Sequence, residues 1–278
     1  MRILGRKITT NQILVYVLIV VITIIMLLPF AWMLSASLKL NREVFEFPIQ
    51  WFPDEARWSN YVDIWTKIPM LQFVFNTAKI TTIVTLLQLF TSSFAAYAFA
   101  KLRFPYRDLL FLGYIATIAM PWQVYMVPQF LFMREIGLYN SHWALICLQA
   151  FTAFGVFLMR QFYMSIPDEL CEAARVDGMN EYQIWWRIML PLSKPALSTL
   201  TIFTFVFAWN DFLGPMIYLT KTELKTIQIG LRMFISQYSA EYGLIMAASV
   251  VAIIPVLIVF LALQRFFVEG VASTGVKG

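Results

Sequence analysis

Long apolar runs, separated by polar and proline-rich segments, recur along the whole chain. A helix needs about 20 apolar residues to cross the roughly 30 Å hydrocarbon core of a bilayer. Six stretches are long enough: residues 12–38, 76–100, 108–133, 142–163, 197–219 and 244–266. The pattern therefore predicts an all-α integral membrane protein with six transmembrane helices, in which residues 1–278 form a single transmembrane domain.

The positive charges of the predicted loops indicate how these helices are oriented. Short cytoplasmic loops are enriched in Lys and Arg relative to short outer loops. With the N-terminus inside, the inner segments carry more of these residues, and Lys101, Arg103 and Arg107 crowd one tight inner turn. We therefore expect a multi-pass protein of the cell (inner) membrane with both termini in the cytoplasm.

The composition supports the membrane assignment and excludes other classes. Of 278 residues, 60% are hydrophobic and 13% are charged, whereas a soluble domain has about 25% charged residues. The net charge of +5 is not gathered into a basic stripe with interleaved aromatic residues. We therefore expect contact with membrane lipid and none with nucleic acid.

The segment between the fourth and fifth spans, residues 164–196, is named the polar loop. Ser165 and Asp168 have the spacing of a capping box, so a helix is expected to begin at Ile166. One face of this helix would carry Leu170, Ala173, Ala174 and Asp177. The two adjacent alanines would let a partner surface approach closely.

A second short helix is expected in the polar loop after a glycine. Gly178 is placed to end the first helix in the left-handed conformation. Asn180 can cap the second helix, and Gln183 completes a variant of the capping box. One side of the second helix would carry Tyr182, Trp185, Trp186 and Met189.

The polar loop combines this apolar patch with acidic side chains, which are Asp168, Glu169, Glu172, Asp177 and Glu181. An apolar patch with a charged rim is typical of a protein docking surface. The alternative is an amphipathic element that lies on the membrane. Interfacial helices favour Lys and Arg on their polar face, so the acidic residues favour docking to a protein.

Two further segments have a distinctive composition. Pro121 and Pro128 lie about two turns apart in the third span and bend it, which is typical of a kinked path-lining helix or of ordinary bending. The outer loop 39–75 is rich in proline and in aromatic residues. That mixture suits a segment at the lipid headgroup level or one that packs on an external partner.

Three parts of the chain carry a family resemblance. Glu172-Ala173-Ala174, Asp177-Gly178 and Ile188-Met189-Leu190-Pro191 resemble the EAA loop of ABC importer permeases. The run Phe207–Phe212 and the tail, Gln264–Gly270 with Gly275–Gly278, resemble the fifth-span motif and the C-terminus of one group of them. The chain is similar over essentially its whole length to the shorter permease subunit of carbohydrate-type ABC importers, the family that includes the maltose importer.

The resemblance implies a type I ABC importer permease fold with the polar loop as its coupling loop. It implies three partners: a second, related permease, a cytoplasmic ABC ATPase dimer and an extracytoplasmic solute-binding protein. The subunit would form half of a path that imports a sugar or oligosaccharide by alternating access. The chain has no Gly-rich phosphate loop, so ATP and Mg would bind the ATPase. We expect this chain to be no enzyme and to hold no cofactor.

The resemblance also suggests roles for individual residues. Contact with the ATPase is expected at Glu172, Ala173, Ala174, Asp177 and Gly178, with Trp185 beside them. The outer loop 220–243 would reach toward the solute-binding protein, and its candidate contacts are Lys221, Glu223 and Tyr238. The C-terminal tail would also meet the ATPase side.

Trp209, Asn210 and Asp211 are the candidate residues of the translocation path. Acidic residues inside membrane segments are costly and usually face protein or water. Asp211 could therefore hydrogen-bond the solute or the partner permease, or it could make a structural contact near the outer end of its helix. Trp209 could stack on a sugar ring or serve only in packing.

Three alternatives stay open. An ABC permease of the same kind could carry a polyol or glycerol phosphate. An ion-coupled secondary transporter would need paired ionisable residues in the spans, where Asp211 stands almost alone. An integral membrane enzyme would need a metal cluster or a Ser/His pair, and His142 is the only histidine.

Overall fold

Helices form almost all of the regular structure of this chain. The structure is a computed structural model that describes residues 2–3, 6–7, 10–235 and 240–275, with side chains for 11–235 and 240–266. The helices are α1 (Thr10–Ser37), α2 (Ser59–Thr66), α3 (Met70–Lys101), α4 (Arg107–Ala116), α5 (Trp122–Glu135), α6 (His142–Gln149), α7 (Ala153–Ser165), α8 (Glu169–Val176), α9 (Glu181–Ile184), α10 (Leu190–Leu192), α11 (Lys194–Trp209), α12 (Leu213–Tyr218), α13 (Ile227–Met233) and α14 (Tyr242–Gly275).

Shorter elements complete the secondary structure. The 3₁₀ turns cover Asn41–Glu43, Thr117–Ala119 and Thr222–Leu224, and Trp185–Met189 form a π-helical turn. Two short strands, β1 (Arg2–Ile3) and β2 (Arg6–Lys7), pair antiparallel before α1. The chain divides into two compact units: Met1–Ile68 with Leu231–Ala252, and Pro69–Gly230 with Ile253–Gly278.

The first unit is held together by polar contacts at the end of α1. Asn60 on α2 is buried, and its Nδ2 donates to the carbonyls of Ser37 at 2.9 Å and Lys39 at 3.0 Å. Lys67 forms an ion pair with Glu241 at 2.7 Å. Buried backbone carbonyls need partners, so these bonds order the segments between α1, α2 and α14.

The second unit is built around α3, which packs mainly on α7 and α11. One face of α3 is buried although it is polar, and it carries Asn76, Thr77, Thr81, Thr85, Gln88, Ser92 and Ser93. Small and weakly polar residues are typical of helix interfaces inside membranes, because they allow close packing and hydrogen bonds between helices. The apolar remainder of this core includes Tyr97, Val156, Met159, Tyr163 and Leu200.

Four helical segments are long and apolar enough to cross a membrane by length and composition: Asn11–Ser37, Met70–Lys101, His142–Ser165 and Tyr242–Phe266. They match four of the predicted spans to within six residues at every end. The predicted third span corresponds to one bent helix pair, and residues 197–209 of the predicted fifth span lie in the second helix of another pair, Glu181–Leu192 with Lys194–Trp209, which is bent by 80°. The described chain therefore has four such helices, or up to six if each bent pair is one span.

The predicted third span, 108–133, is wrong as a single helix. Arg107–Ala119 and Trp122–Glu135 are bent by 97° relative to each other. Met120 and Pro121 are extended between them, with ψ of 113° and 136°. The residue before a proline disfavours helical geometry, so Pro121 ends one helix and precedes the next, whereas Pro128 stays inside α5.

The predicted fifth span, 197–219, is also interrupted. Helix α11 ends at Trp209, and α12 begins at Leu213 after a short non-helical stretch. The Asp211 carboxylate accepts a hydrogen bond from Gly214 N at 3.1 Å. Short acidic side chains that bond to the backbone in this way favour turns over helix continuation, which explains the break.

Candidate functional site

The first helix of the polar loop begins later than the sequence suggests. Helix α8 begins at Glu169, and Ser165 Oγ donates to Phe162 O at 2.7 Å instead of capping α8. The predicted capping box is therefore wrong. The turn before α8 is held from α3 instead, because Lys101 Nζ donates to the Asp168 carboxylate and to Ile166 O, the latter at 2.6 Å.

The ion pair at this turn has a clear electrostatic effect. The hydrogen bond and the positive charge of Lys101 hold the pKa of the Asp168 carboxyl below its usual range. The Lys101 side chain is buried while that of Asp168 is exposed. Lys101 therefore fixes the start of the polar loop to the C-terminal end of α3.

The glycine turn between the two helices of the polar loop is confirmed. Gly178 has φ +83°, its N–H bonds Arg175 O, and the N–H of Met179 bonds Ala174 O, each at 3.0 Å. This pair of bonds is the Schellman motif that closes a helix on a left-handed glycine. An added Cβ at Gly178 would meet nothing within 4 Å, so the glycine is required by conformation and not by space.

The cap of the second helix is confirmed as well. Asn180 Oδ1 accepts from Gln183 N at 2.9 Å, and Gln183 Oε1 accepts from Asn180 N at 3.0 Å. Two backbone donors that a helix start leaves unpaired are thereby satisfied. The polar loop is consequently a helix–glycine–helix element with well-defined ends.

The predicted apolar side of the second helix is buried only in part. Trp185 and Met189 are buried, whereas Tyr182 and Trp186 are 68% and 60% exposed. Tyr182 nevertheless stacks on Phe94 of α3 at a centroid distance of 5.8 Å, and residues Trp185–Met189 form a π-helical turn. Because Trp185 is buried, it does not lie on the exposed surface where contact with an ATPase was expected.

Trp185 serves instead as an internal anchor. Its ring packs edge-on against Phe90 and Phe94 of α3, with centroid distances of 5.6 and 5.2 Å. Such aromatic contacts favour edge-to-face geometry. The second helix of the polar loop is thus packed on α3 by a large buried side chain.

A second polar contact joins the loop to α3. Tyr97 Oη donates to Glu181 Oε2 at 2.5 Å, and Arg175 Nε donates to Glu181 Oε1 at 2.8 Å. The hydrogen bond to Glu181 raises the pKa of Arg175. Glu181 therefore ties α8 and α9 to each other and both of them to α3. We name this Tyr97–Glu181–Arg175 group the polar clamp.

The outward surface of α8 is named the docking face and consists of Leu170, Glu172, Ala173, Val176 and Asp177, all of them exposed. Val176 is 88% exposed. Ala174 is buried, so only one of the two alanines that were predicted on the docking surface, Ala173, is exposed on it. An apolar centre rimmed by acids fits a protein partner.

The candidate path residues lie in three different environments. Trp209 is buried and stacks on Phe205 at 5.5 Å. Asn210 is exposed, and its side chain bonds Val206 O at 2.9 Å and Gln228 Nε2 at 3.0 Å. Asp211 is half-buried. The burial of Trp209 favours a packing role over stacking on a solute.

Asp211 belongs to a chain of hydrogen bonds inside the second unit. Its Oδ2 accepts from Gln149 Nε2 at 2.7 Å. Gln88 on α3 donates to Gln149 O at 2.7 Å and accepts from Thr204 Oγ1 at 2.8 Å. An added Cβ on Gly214 would come within 2.5 Å of Asp211 Oδ2. The structure thus connects α3, α6 and α11 to the break that contains Asp211.

The loop after α12, predicted to lie on the outer side, is hydrogen-bonded to α3. Asn76 Nδ2 donates to the carbonyls of Glu223 at 2.7 Å and Lys225 at 3.0 Å. Gln72 Nε2 also donates to Glu223 O, at 2.9 Å. Lys221 and Glu223 have exposed side chains, so this segment presents charged groups on a fixed backbone. Tyr238 lies outside the described residues.

Two residues that the sequence did not single out as anchors support the same loop. Asn140, at φ +57°, accepts from the N–H groups of Thr220 and Lys221 at 3.0 and 3.1 Å. His142 Nε2 bonds Leu224 O at 2.8 Å. The left-handed backbone of Asn140 could have been predicted, because Asn is enriched in that conformation and Asn140 follows Gly137 in a turn-rich segment. Its hydrogen-bond partners could not have been predicted, because they are distant in sequence.

Among the described residues no group of three or more His, Cys, Asp or Glu side chains is placed to hold a metal ion. The features that remain are apolar helices, a fastened polar loop and charged loops. Together they define a multi-pass membrane protein whose distinctive surface lies on a polar loop between apolar helices.

Comparison with known proteins gives the family. Residues 88–273 match the model of the binding-protein-dependent transport system inner membrane component. The chain belongs to this family of ABC transporter permeases, which are transport components and not enzymes.

Two relatives and one solved structure extend the match to most of the chain. The arabinooligosaccharides transport system permease protein AraQ of Halalkalibacterium halodurans is 34% identical over 81% of each chain. The sn-glycerol-3-phosphate transport system permease protein UgpE of Yersinia enterocolitica is 31% identical over 93% of this chain and 95% of its own length. A bacterial ABC transporter involved in the import of the acidic polysaccharide alginate superimposes with a TM-score of 0.82 at 26% identity, covering 94% and 99% of the two chains. The permease fold is therefore that of an ABC importer.

Proposed function

We propose that this chain is one of two permease subunits of an ATP-driven, binding-protein-dependent importer for a sugar or oligosaccharide. The family match supports the transport role, and the names of AraQ and of the alginate importer support a carbohydrate solute. The observation that carries the mechanism is the exposed docking face on a loop that is bonded to α3 at several points.

The docking face would receive a cytoplasmic ABC ATPase, which would hold ATP and Mg. Glu172, Ala173 and Asp177 are exposed on it, and Gly178 ends its helix. Trp185 supports the surface from behind. Because the loop is fastened to α3 by Lys101, by Trp185 and by the polar clamp, a displacement of the loop would move the inner end of α3.

Motion of α3 would then reach the centre of the bundle. Gln88 on α3 is hydrogen-bonded to Gln149 and to Thr204, and Gln149 is hydrogen-bonded to Asp211. ATP-driven alternating access requires an element with two arrangements, and this hydrogen-bonded chain is the element that we assign to that role. We propose that the break at 210–212 lies beside the solute path, with Asn210 as the exposed polar group and Asp211 as the residue that fixes its geometry.

The remaining partners follow from the same scheme. A second, related permease would complete the path. An extracytoplasmic solute-binding protein would deliver solute at the outer loop, where Lys221 and Glu223 are exposed and where Tyr238 is also expected to contribute. This arrangement requires both termini in the cytoplasm and six crossings of the cell (inner) membrane, with α4 and α5 together forming the third crossing and α11 and α12 together forming the fifth.

The test of this function is co-purification of the tagged full chain from its own cell membrane in detergent. Wild type should retain an ATPase and a second permease, identified by mass spectrometry. Glu172→Lys should lose the ATPase and keep the permease, because it inverts the charge of the docking face. Glu55→Lys, a charge reversal at an exposed acid outside the polar loop, is the matched control and should keep both. A wild-type chain that purifies alone would contradict the proposal.

A second candidate solute is glycerol phosphate, which the relative UgpE favours. Uptake by vesicles that contain the complete importer would separate the two solutes. Competition by unlabelled oligosaccharide but not by glycerol phosphate would support the carbohydrate assignment, and the reverse pattern would replace it. Uptake that persists without ATP but needs an ion gradient would indicate a secondary transporter instead.

A further inference from the structure

The segment that follows α1 exposes a cluster of aromatic side chains. We name residues 45–58 the aromatic segment; Phe47 and Phe52 in it are 89% and 86% exposed. Its other exposed large apolar residues are Phe45, Ile49, Trp51 and Trp58. An exposed apolar patch of this kind marks a surface that binds a partner or a membrane.

The aromatic segment is fixed against the last turns of α1. The Trp51 ring packs edge-on to Trp32 at a centroid distance of 5.7 Å. Ser35 Oγ donates to Trp51 O, and Lys39 Nζ donates to Gln50 O. These bonds run from the helix end to the segment, so residues 50–51 lie beside residues 32–35 of α1 and not beyond its end.

Lys39 makes this attachment firm. Its side chain is almost fully buried, and its Nζ lies 4.5 Å from the centre of the Trp32 ring. A cation over an indole face is attractive, and more so when water is excluded. Lys39 therefore donates a hydrogen bond to the carbonyl of Gln50 and makes a cation–π contact with the ring of Trp32 at the same time.

The length of α1 indicates the depth in the membrane at which the aromatic segment contacts this helix. The exposed apolar stretch Ile13–Leu34 is about 33 Å long at 1.5 Å per residue. That length matches a hydrocarbon core of roughly 30 Å, so Trp32 falls at the boundary between hydrocarbon and headgroups. Trp51 touches Trp32 and must lie at the same level.

We propose that the aromatic segment is an interfacial anchor that inserts Phe47 and Phe52 into the lipid leaflet at which α1 ends. Aromatic side chains are favoured at this depth. The exposed charged residues of the segment, Glu46, Asp54, Glu55 and Arg57, would face headgroups and water. The proposal uses the membrane position of α1 alone and does not rest on the ATPase contact.

The test places a polarity-sensitive label in the full chain, assembled with its partners in lipid vesicles. In a Cys147→Ser, Cys171→Ala background, a single cysteine replaces Phe47, Phe52 or Glu55 and carries a nitrobenzoxadiazole group. All three side chains are exposed, so these replacements leave the fold intact. Emission is recorded with a shallow nitroxide-labelled phospholipid and, separately, with iodide in the water.

Labels at positions 47 and 52 should emit at shorter wavelength than the label at 55 and should be quenched by the nitroxide lipid but weakly by iodide. The label at 55 should show the opposite preference. Quenching by iodide at all three positions would overturn the proposal. Protection from both quenchers would also overturn it, because a protein such as the solute-binding protein would then cover the segment.

Discussion

At the scale of single residues, Gly178 is the clearest case in which backbone geometry determines the residue type. Its φ of +83° is a conformation that costs a residue with a Cβ about 1–2 kcal/mol. An added Cβ meets no atom within 4 Å, so any loss on substitution comes from the backbone.

We expect Gly178→Ala to lower the stability of the purified complex by about 1 kcal/mol. Gly113→Ala is the matched control, because Gly113 lies in α4 and its added Cβ also meets nothing. That control should be neutral or slightly stabilising, since Ala favours helix more than Gly does. Thermal unfolding in detergent measures both. Equal midpoints for the two variants would argue against the glycine turn.

Two substitutions at Asp211 distinguish a structural role of its side chain from a role of its negative charge. Asp211→Ala removes the acceptor for Gln149 and Gly214 and should cost about 1–3 kcal/mol, because buried donors are left unpaired. Asp211→Asn keeps an acceptor for Gly214, and its new amide can donate to Gln149 Oε1, which has no hydrogen-bond partner among the described residues.

Solute uptake and complex yield should therefore fall in Asp211→Ala and stay near wild type in Asp211→Asn. Both are measured in vesicles from the same expression. Loss of uptake in Asp211→Asn at normal yield would show that the negative charge itself acts on the solute path.

At the scale of helices, the polar clamp is expected to transmit motion from the polar loop to α3. Tyr97→Phe removes only the hydroxyl that donates to Glu181. The variant should assemble and hydrolyse ATP, yet transport fewer solute molecules per ATP, because one of the links between loop and α3 is lost. Uptake and phosphate release are measured in the same proteoliposomes.

The control for this experiment is Tyr16→Phe, which removes a hydroxyl from an exposed position on α1. It should leave the ratio of transport to hydrolysis unchanged. If Tyr97→Phe also leaves that ratio unchanged, the clamp is only a structural contact.

Two features of the polar loop that depend only on residues close in sequence were predicted correctly. The Gly178 turn and the Asn180–Gln183 cap depend on neighbours within a few residues, and both are confirmed. The burial of Trp185 depends on Phe90 and Phe94 of α3, which are distant in sequence. The break after Trp209 is a local feature, because Asp211 accepts a hydrogen bond from Gly214 N, but apolar residues continue beyond it and the predicted fifth span therefore ran through Asp211.

Proline rules predicted a bend in the third span at Pro121 but not its size. The residue before a proline disfavours helical geometry, and the two helices on either side of Pro121 differ in direction by 97°, whereas hydropathy continues across the break and suggested one span. The anchors of the outer loop, Asn76 and His142, were not predicted, because their partners are backbone carbonyls more than a hundred and about eighty residues away.

At the scale of the whole molecule, the family and the permease role agree with the initial resemblance. The match over residues 88–273 and the similarity to the alginate importer cover the polar loop and the bundle. The structure adds that the loop is bonded to the long helix α3 by an ion pair, a buried Trp and the polar clamp. We propose that the other side of this loop, the docking face, receives the ATPase.

Site-specific photocross-linking in the assembled complex tests that claim most directly. A photoreactive benzoylphenylalanine replaces Val176 on the docking face, and the control replaces Val62 on α2, since both valines are exposed on short helices. We predict that irradiation links the chain to the ATPase from position 176 and not from position 62. Absence of an ATPase product at 176, with lipid or the second permease captured there instead, would contradict the account.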